Sequence, residues 1–297
     1  MTDIETVAAP APSLARRIVA FPLTLMLIAL IMVLGASGVA NLVSDQVPRK
    51  AGSPLLLVHA AIFISFLLAA YWLFCRFVER APMEVFARKG WARETLAGLA
   101  AGALIFSTVV AIVTALGGYR AAGWGELATV WTALNLSLMS GFAEELLFRG
   151  ILFRYIERTA GSWAALLITS AMFGAAHFAN PNAGIFPAAA IAVEAGLLLG
   201  AVYMLTRRLW AAIGLHAAWN FTQGWIFGLP VSGGGGGDGM VRGELAGPEW
   251  LTGGAFGLEA SLPGVLVATS AGVAILYVAV RRGRLMAPMW SAAQRKE

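Results

Sequence analysis

The sequence predicts an all-α fold, a polytopic membrane helix bundle with about eight transmembrane helices. Of the 297 residues, 59% are hydrophobic and only 12% are charged, which lies outside the composition of soluble globular domains. The mean hydropathy of +0.76 agrees with this composition. Apolar stretches of about 20 residues, the length that crosses a bilayer, also recur along the chain. We therefore expect an integral membrane protein.

Eight apolar stretches follow one another between short polar connections. The predicted spans cover roughly residues 18–43, 54–76, 95–117, 127–153, 163–179, 184–206, 209–228 and 262–280. Together they form a single transmembrane helical domain over residues 16–284. Arg16 and Arg17 before the first stretch would also suit a secretory signal, but the stretch is long for the core of one, so we expect it to be retained.

Three segments outside the spans have few apolar residues. Residues 1–15, rich in Ala, Pro and Thr, are predicted to form a disordered cytoplasmic N-terminus. Residues 229–261 are predicted to form a flexible extracytoplasmic loop, because they include the glycine run between Ser232 and Gly239. Residues 285–297 are predicted to form a cytoplasmic tail.

The distribution of basic residues predicts the orientation of the bundle. The formal net charge is +5, but the 21 Lys and Arg residues are spread between the apolar stretches, so no nucleic-acid partner is expected. With eight spans, 17 of these residues lie on one side of the membrane, and only Arg49, Lys50, Arg120 and Arg242 lie on the other. By the positive-inside rule both termini then face the cytoplasm. The single cysteine, Cys75, excludes an internal disulfide.

Two adjacent glutamates lie within the fourth predicted span, in the segment GFAEELLFRG. Glu145 and Arg149 are four residues apart on one helix face, where an ion pair lowers the cost of burying both groups. Glu144 is rotated from Glu145 by about 100° and is left free. Desolvation favours the protonated form of a free carboxyl group, which suits a general base that takes a proton from water. Alternatively, both glutamates lie in the headgroup zone and Arg149 reaches the membrane surface.

The fourth and fifth spans are predicted to form an antiparallel hairpin with its turn near Ala160. Glu144 and His177 lie 16 and 17 residues from that turn, which places both at roughly 25 Å from it, at about 1.5 Å per residue. We therefore expect the carboxylate and the imidazole to meet. Phe173, one helical turn before His177, is expected to wall the site and to orient the imidazole.

His216 and Asn220 repeat the four-residue spacing in the seventh span. Their side chains project from one helix face and can donate hydrogen bonds to a single point, as in an oxyanion hole. Counted from Arg208, they lie only roughly 12 to 18 Å into the membrane at the same rise per residue. We expect helix tilt or unequal helix protrusion to absorb this difference in depth from Glu144.

Other polar and aromatic residues of the spans give weaker indications of a functional role. Glu194 in the sixth span needs a partner or a proton, and three roles stay open: a supporting contact with His177 or Arg149, a place beside a water path, and a proton relay. His59 is expected to be a packed histidine. Tryptophans near span ends are typical of an interfacial belt, namely Trp163, Trp210 and Trp225.

These motifs resemble the CPBP or ABI family of intramembrane proteases, which includes type 2 CAAX prenyl endopeptidases and bacteriocin-processing enzymes. The resemblance covers residues 95–228 as a core, with three motifs in the expected order: Glu144-Glu145-x-x-x-Arg149, Phe173-x-x-x-His177 and His216-x-x-x-Asn220. It implies an intramembrane endopeptidase in which Glu144 and His177 activate water, while His216 and Asn220 stabilise the oxyanion. Glu145, Arg149 and Phe173 then act as supporting residues.

The resemblance also bears on location and partners. It implies a protein of the bacterial cytoplasmic membrane whose substrate is a peptide or a membrane protein. Nothing in the sequence identifies a lipid or peptide pocket, so a prenylated substrate stays open, as does the oligomeric state.

A metal cofactor is not expected, because the sequence has neither HExxH nor a cysteine-based site. Zinc is the less favoured alternative. It would have to gather Glu144, His177 and His216 from three helices, and a metal-bound His216 would not serve the oxyanion well.

Two other classes of function also stay open. One is a proton- or cation-coupled transporter that uses the same polar residues, and the other is a noncatalytic immunity or scaffold protein of the same fold. Transporters often repeat a pair of Gly- or Pro-broken segments in two halves. The sequence shows no such repeat, which favours the enzyme.

Overall fold

The computed structural model describes residues 13–236 and 239–291, which form a helical bundle with one small sheet. In chain order the elements are α1 (Leu14–Val19), α2 (Pro22–Ser44), α3 (Leu56–Leu73), α4 (Trp91–Ala115), β1 (Tyr119–Trp124), α5 (Val130–Glu145), α6 (Arg154–Ala176), α7 (Ile185–Ile191), α8 (Leu197–Thr206), α9 (Trp210–Phe221), β2 (Val241–Leu245), α10 (Glu249–Thr252) and α11 (Leu262–Arg281). π-helical stretches extend α3, α5, α7 and α9, over Phe74–Glu79, Leu146–Phe153, Ala192–Gly196 and Thr222–Ile226. The predicted all-α membrane bundle is confirmed.

Six helices of the described chain are long and apolar enough to cross a membrane. One of them is the continuous run Leu127–Ala179, in which Gly161 has a non-helical backbone with φ 82° and ψ 169°. The run bends back at this glycine, since the rings of Phe148 and Phe173 on its two halves lie 4.9 Å apart between centroids. It is therefore the antiparallel hairpin that the sequence predicts. The exact number of eight spans stays a prediction.

The outer surface of the bundle is apolar. On α2, Leu25, Ala29 and Val33 are buried at four-residue spacing, whereas Leu27 and Ile31 are more than half exposed. Large exposed apolar side chains on a helix of 23 residues are typical of a surface that faces lipid. The chain is therefore an integral membrane protein.

Residues 229–261 are folded over their described part, which contradicts the predicted flexible loop. β2 pairs with β1 in antiparallel orientation, with Tyr119 opposite Leu245. Apolar side chains of the segment are buried against the bundle, namely Leu229, Leu251, Phe256, Leu258 and Ala260. The described part of the glycine run lies between these anchors, whereas residues 237 and 238 lie outside the described residues. Glycine content alone is therefore a poor guide to the freedom of the segment. The sequence did not predict the two strands.

Charged pairs gather at one end of the bundle, which we call the arginine-rich end. It contains Glu79, Glu94, Glu157, Arg154, Arg158, Arg207 and Arg208. Glu79 accepts hydrogen bonds from Arg154 at 2.9 Å and from Arg158 at 2.7 Å. Arg207 donates to Glu157 at 2.5 Å, and Arg208 pairs with Glu94. These pairs join the ends of α3, α4, α6 and α8.

Part of the predicted tail packs on the arginine-rich end. Met286 N donates to Ser162 Oγ at 2.7 Å, and Met289 N donates to Thr159 O at 3.1 Å. The rest of that tail, residues 292–297, lies outside the described residues. So do residues 1–12 of the segment that is predicted to be disordered.

Glycines bring α4 and α9 into close contact. A Cβ atom at Gly98 would lie 2.2 Å from Ala211 O, and one at Gly102 would lie 2.2 Å from Leu215 O. Only a residue without a side chain allows two helix backbones to approach so closely. This contact fixes the position of the α9 segment that carries His216.

Candidate active site

The adjacent glutamates end α5, where its backbone changes to the π-helical stretch. Arg149 Nη1 donates to Glu145 Oε1 at 2.9 Å, and both side chains are buried. Arg149 Nη2 also donates to the carbonyl oxygens of Ala195 and Gly196, at 3.1 and 3.3 Å. The guanidinium therefore connects the end of α5 to the π-helical stretch that extends α7. This burial rules out the alternative in which Arg149 reaches the membrane surface.

His216 connects the two glutamates. Its Nδ1 lies 2.9 Å from Glu145 Oε1, and its Nε2 lies 3.8 Å from Glu144 Oε2. A carboxylate oxygen accepts, so His216 Nδ1 carries a hydrogen. Glu145 is thus shared by Arg149 and His216. The Glu144 side chain is 30% exposed, and its Oε2 has no hydrogen-bond partner among the described residues.

His177 follows α6 directly and is fixed by the residue one turn before it. Its Nδ1 lies 2.7 Å from Phe173 O. Because a carbonyl oxygen only accepts, Nδ1–H is the donor, and Nε2 is left for another partner.

Phe173 contacts both histidines. Its ring centroid lies 4.8 Å from that of His177 and 6.1 Å from that of His216. The Arg149 guanidinium lies over the same ring, 4.6 Å from its centroid. This buried ring therefore lies in the position from which it can form one wall of the site and orient both imidazoles.

Asn220 lies one turn after His216 on α9. Its Nδ2 donates to Ser140 Oγ at 3.0 Å, and the second N–H of the amide remains for another acceptor. Ser140 itself lies one turn before Glu144 on α5. The α5–α9 contact therefore places a carboxylate, an imidazole and an amide side by side.

Glu144, His177, His216 and Asn220 line one cavity of about 490 Å³. The α5 side of the cavity consists of Thr129, Thr132, Ala133, Leu136, Ser137 and Ser140, and the facing side includes Gly224, Trp225, Val231, Ser232, Gly234 and Gly235. This outer lining comes from the start of α5 and from the segment after α9. The cavity therefore opens at the end of the bundle opposite the arginine-rich end.

The start of α9 and the turn of the hairpin lie at different levels, which bears on the difference in depth that the sequence indicates. Arg207, which precedes α9, forms an ion pair with Glu157 of the hairpin. Glu157 lies one helical turn before the turn of the hairpin at Gly161. The hairpin therefore extends past the level at which α9 begins. This offset helps His216 to reach Glu145 despite its shorter distance from the arginine-rich end.

Sequence reasoning did not identify every residue of the cavity. Ser140 could have been predicted as a residue of the site, because it lies one helical turn before Glu144. No sequence pattern indicates Ser232, because it lies in the glycine run. Trp225, predicted to belong to the interfacial belt, lines the cavity, and its buried Nε1 has no hydrogen-bond partner in the described part of the chain. His59 is buried, as expected of a packed histidine.

The arrangement does not fit a zinc centre. Within residues 13–236 and 239–291, no group of three His, Cys, Asp or Glu side chains is placed to hold a metal ion.

Comparison with known proteins identifies a family for the part of the chain that contains the site. The family described as type II CAAX prenyl endopeptidase Rce1-like matches residues 126–222. This range begins just before α5 and ends just after Asn220, so it contains every predicted site residue. No curated protein and no solved structure matches the chain. The match over residues 126–222 thus supports a relationship to the Rce1-like type II CAAX prenyl endopeptidases, among the CPBP or CAAX protease-like proteins.

Proposed function

We propose that the protein is an intramembrane endopeptidase that hydrolyses peptide bonds with a water activated by Glu144 and His177. The observation that carries the proposal is a carboxylate with one free oxygen, 3.8 Å from an imidazole, in a cavity that also presents His177 and Asn220. The family match over residues 126–222 supports a protease of the CAAX type.

In this mechanism a water binds between Glu144 and His177 Nε2. Glu144 takes a proton from the water while the water oxygen attacks the peptide carbonyl carbon. The electron pair of the carbonyl bond moves to its oxygen, where the new negative charge accepts hydrogen bonds from His216 and Asn220. Glu144 then returns the proton to the amine as the C–N bond breaks. The carboxylate is restored, and no further reactant is consumed.

The role of His216 requires a hydrogen on both of its nitrogens. Nδ1–H already donates to Glu145, so donation to the oxyanion uses Nε2–H. The doubly protonated imidazolium is stabilised by the carboxylates of Glu144 and Glu145. Glu145 therefore orients His216 and supplies a counter-charge, while Arg149 keeps Glu145 in place.

A peptide or membrane-protein segment is the proposed substrate. The α5 wall of the cavity consists mostly of small side chains and carries no basic group, which leaves room for an extended peptide. The protein would reside in the bacterial cytoplasmic membrane with both termini in the cytoplasm.

The central test is substitution of Glu144 by glutamine. The amide has the same shape but cannot accept a proton, so we expect Glu144→Gln to lower kcat about 10²–10⁴-fold. Hydrolysis of a mixture of fluorogenic peptides by purified protein in proteoliposomes would measure this. His177→Ala should behave similarly, while Glu249→Gln, an exposed glutamate on α10, serves as the control. Sustained turnover by Glu144→Gln or His177→Ala would remove the mechanism.

The proposed chemistry needs no metal ion. We therefore expect protein that has been treated with a strong chelator and dialysed to keep its peptidase activity, with less than one equivalent of zinc by mass spectrometry. Loss of activity that added zinc restores would contradict this part of the proposal.

A further inference from the structure

Glu194 is a buried carboxyl group that the proposed mechanism does not use. It lies in the π-helical stretch after α7 and is fully buried. Neither of its oxygens has a hydrogen-bond partner in the part of the chain that the structure describes. The nearby Arg149 binds the backbone carbonyls of Ala195 and Gly196 instead of this carboxylate. A charged carboxylate without a partner is far more costly to bury than a neutral carboxyl group.

A second, much smaller cavity lies behind the active site. It has a volume of about 30 Å³ and is lined by Glu194 and Glu259, and also by His177, His216, Asn220 and Ser232. Those four residues line the large cavity as well, so they form the wall between the two spaces. A volume of this size holds about one water molecule, and the surrounding polar groups supply the two to four partners that a buried water needs.

Glu259 differs from Glu194 in its contacts. It lies just before α11, outside the membrane-spanning helices, and it is buried. Burial raises the pKa of Glu259, while the hydrogen bond from the Ser232 backbone opposes that shift. Ser232 N donates to Glu259 Oε2 at 2.5 Å, and Ser232 Oγ donates to Oε1 at 3.2 Å. Hydrogen bonds to both oxygens favour the carboxylate form of Glu259.

Ser232 is also held from the other side. Asn180 Nδ2 donates to Ser232 O at 3.0 Å, and Gly233 N donates to Phe256 O at 2.8 Å. Glu259 and Asn180 thus fasten the beginning of the glycine run to the end of α6, where His177 lies.

We propose that Glu194 is protonated and donates a hydrogen bond, through one water in the small cavity, to the carboxylate of Glu259. This acid–carboxylate pair positions the wall between the two cavities, which consists of His177, His216, Asn220 and Ser232. Glu194 and Glu259 are then positioning residues, because they touch the wall of the active site rather than the substrate. The inference deepens the proposed function, and only its activity readout depends on that function.

Infrared spectroscopy tests the proton on Glu194 directly. We expect the wild-type protein in proteoliposomes to show the carbonyl band of a buried, protonated carboxyl group. Glu194→Gln should lose that band, while Glu144→Gln and Glu259→Gln should keep it. A wild-type spectrum without the band, or a band that remains unchanged in Glu194→Gln, would overturn the proposal. This measurement needs no substrate.

Kinetics test the positioning role with a pair of variants. The amide of Glu194→Gln can still donate a hydrogen bond, so we expect kcat within about threefold of wild type. Glu194→Leu fills a similar volume without a donor, and we expect kcat to fall roughly tenfold or more, the equivalent of one hydrogen bond to a charged group. Equal kcat values for the two variants, with both melting near the wild-type temperature, would contradict the role. An active Glu144→Gln would instead reject the proposed function and leave the infrared result standing.

Discussion

At the scale of single residues, Glu145 is the centre of the site although it performs no proton transfer in the proposed mechanism. One of its oxygens contacts both Arg149 and His216 at 2.9 Å. Glu144, its neighbour in sequence, lines the cavity, and its Oε2 has no hydrogen-bond partner among the described residues. The rotation of about 100° between successive helix residues separates the two carboxylates. Glu145 therefore holds the structure of the site together, while Glu144 is available for proton transfer.

This division predicts stability effects of different size for the two glutamates. Glu145→Gln leaves the buried Arg149 without a counter-charge, and removal of one partner of a buried ion pair costs about 3–5 kcal/mol. Glu144 is partly exposed, and its 3.8 Å contact with His216 Nε2 is too long for a hydrogen bond, so Glu144→Gln should change stability by less than about 1 kcal/mol. Thermal unfolding of both variants in the same detergent would show the difference. Equal melting temperatures would mean that the Glu145–Arg149 pair does not stabilise the fold.

The sequence allowed part of this site to be predicted. The Glu145–Arg149 pair and the common face of His216 and Asn220 follow from the four-residue helix spacing. The bond between His216 and Glu145 could not be predicted, because it depends on how closely α9 approaches α5. No spacing within a single helix contains that information.

At the scale of elements, the position of α9 depends on its contact with α4. The four-residue spacing of Gly98 and Gly102 places both glycines on one face of α4, where they allow the α9 backbone to come close. His216 directly follows Leu215, whose carbonyl would lie 2.2 Å from a Cβ atom at Gly102. Helix packing at a distance from the cavity therefore sets the geometry within it.

Substitution at this contact should disturb both stability and catalysis. Gly102→Ala forces the two backbones apart, so we expect a lower melting temperature and a fall in kcat of about tenfold or more, as His216 moves away from Glu144. Gly35→Ala on α2 is the matched control, because a Cβ atom there has no neighbour within 4 Å. If the two variants were indistinguishable in melting temperature and kcat, the α4–α9 contact would not control the site.

The segment after α9 shows where element prediction failed. Its glycine run predicts a flexible tether, yet Ser232 is fixed by Glu259 and by Asn180. The strand pairing of Arg120 with Glu244 also crosses 124 residues of sequence. Local periodicity in the sequence predicts helices, whereas a short sheet made from distant segments has no local sequence pattern.

At the scale of the whole molecule, the two ends of the bundle differ in charge and in access. One end carries the arginine pairs of Glu79, Glu94 and Glu157, and the cavity opens at the other. From the positive-inside rule we predict that the arginine-rich end lies in the cytoplasm. The mouth of the active site would then face the extracytoplasmic side, and substrates would arrive from there or laterally from the bilayer.

Thiol labelling tests this orientation, because Cys75 is the only cysteine of the chain. In a Cys75→Ser background, Gly235→Cys places a thiol at the mouth of the cavity, where a Cβ atom has no neighbour within 4 Å. Lys89→Cys, at an exposed position before α4, marks the opposite end. A membrane-impermeant maleimide should label Gly235→Cys in right-side-out vesicles and Lys89→Cys in inside-out vesicles. The reverse pattern would place the mouth in the cytoplasm, where the C-terminal tails of cytoplasmic proteins would be the accessible substrates.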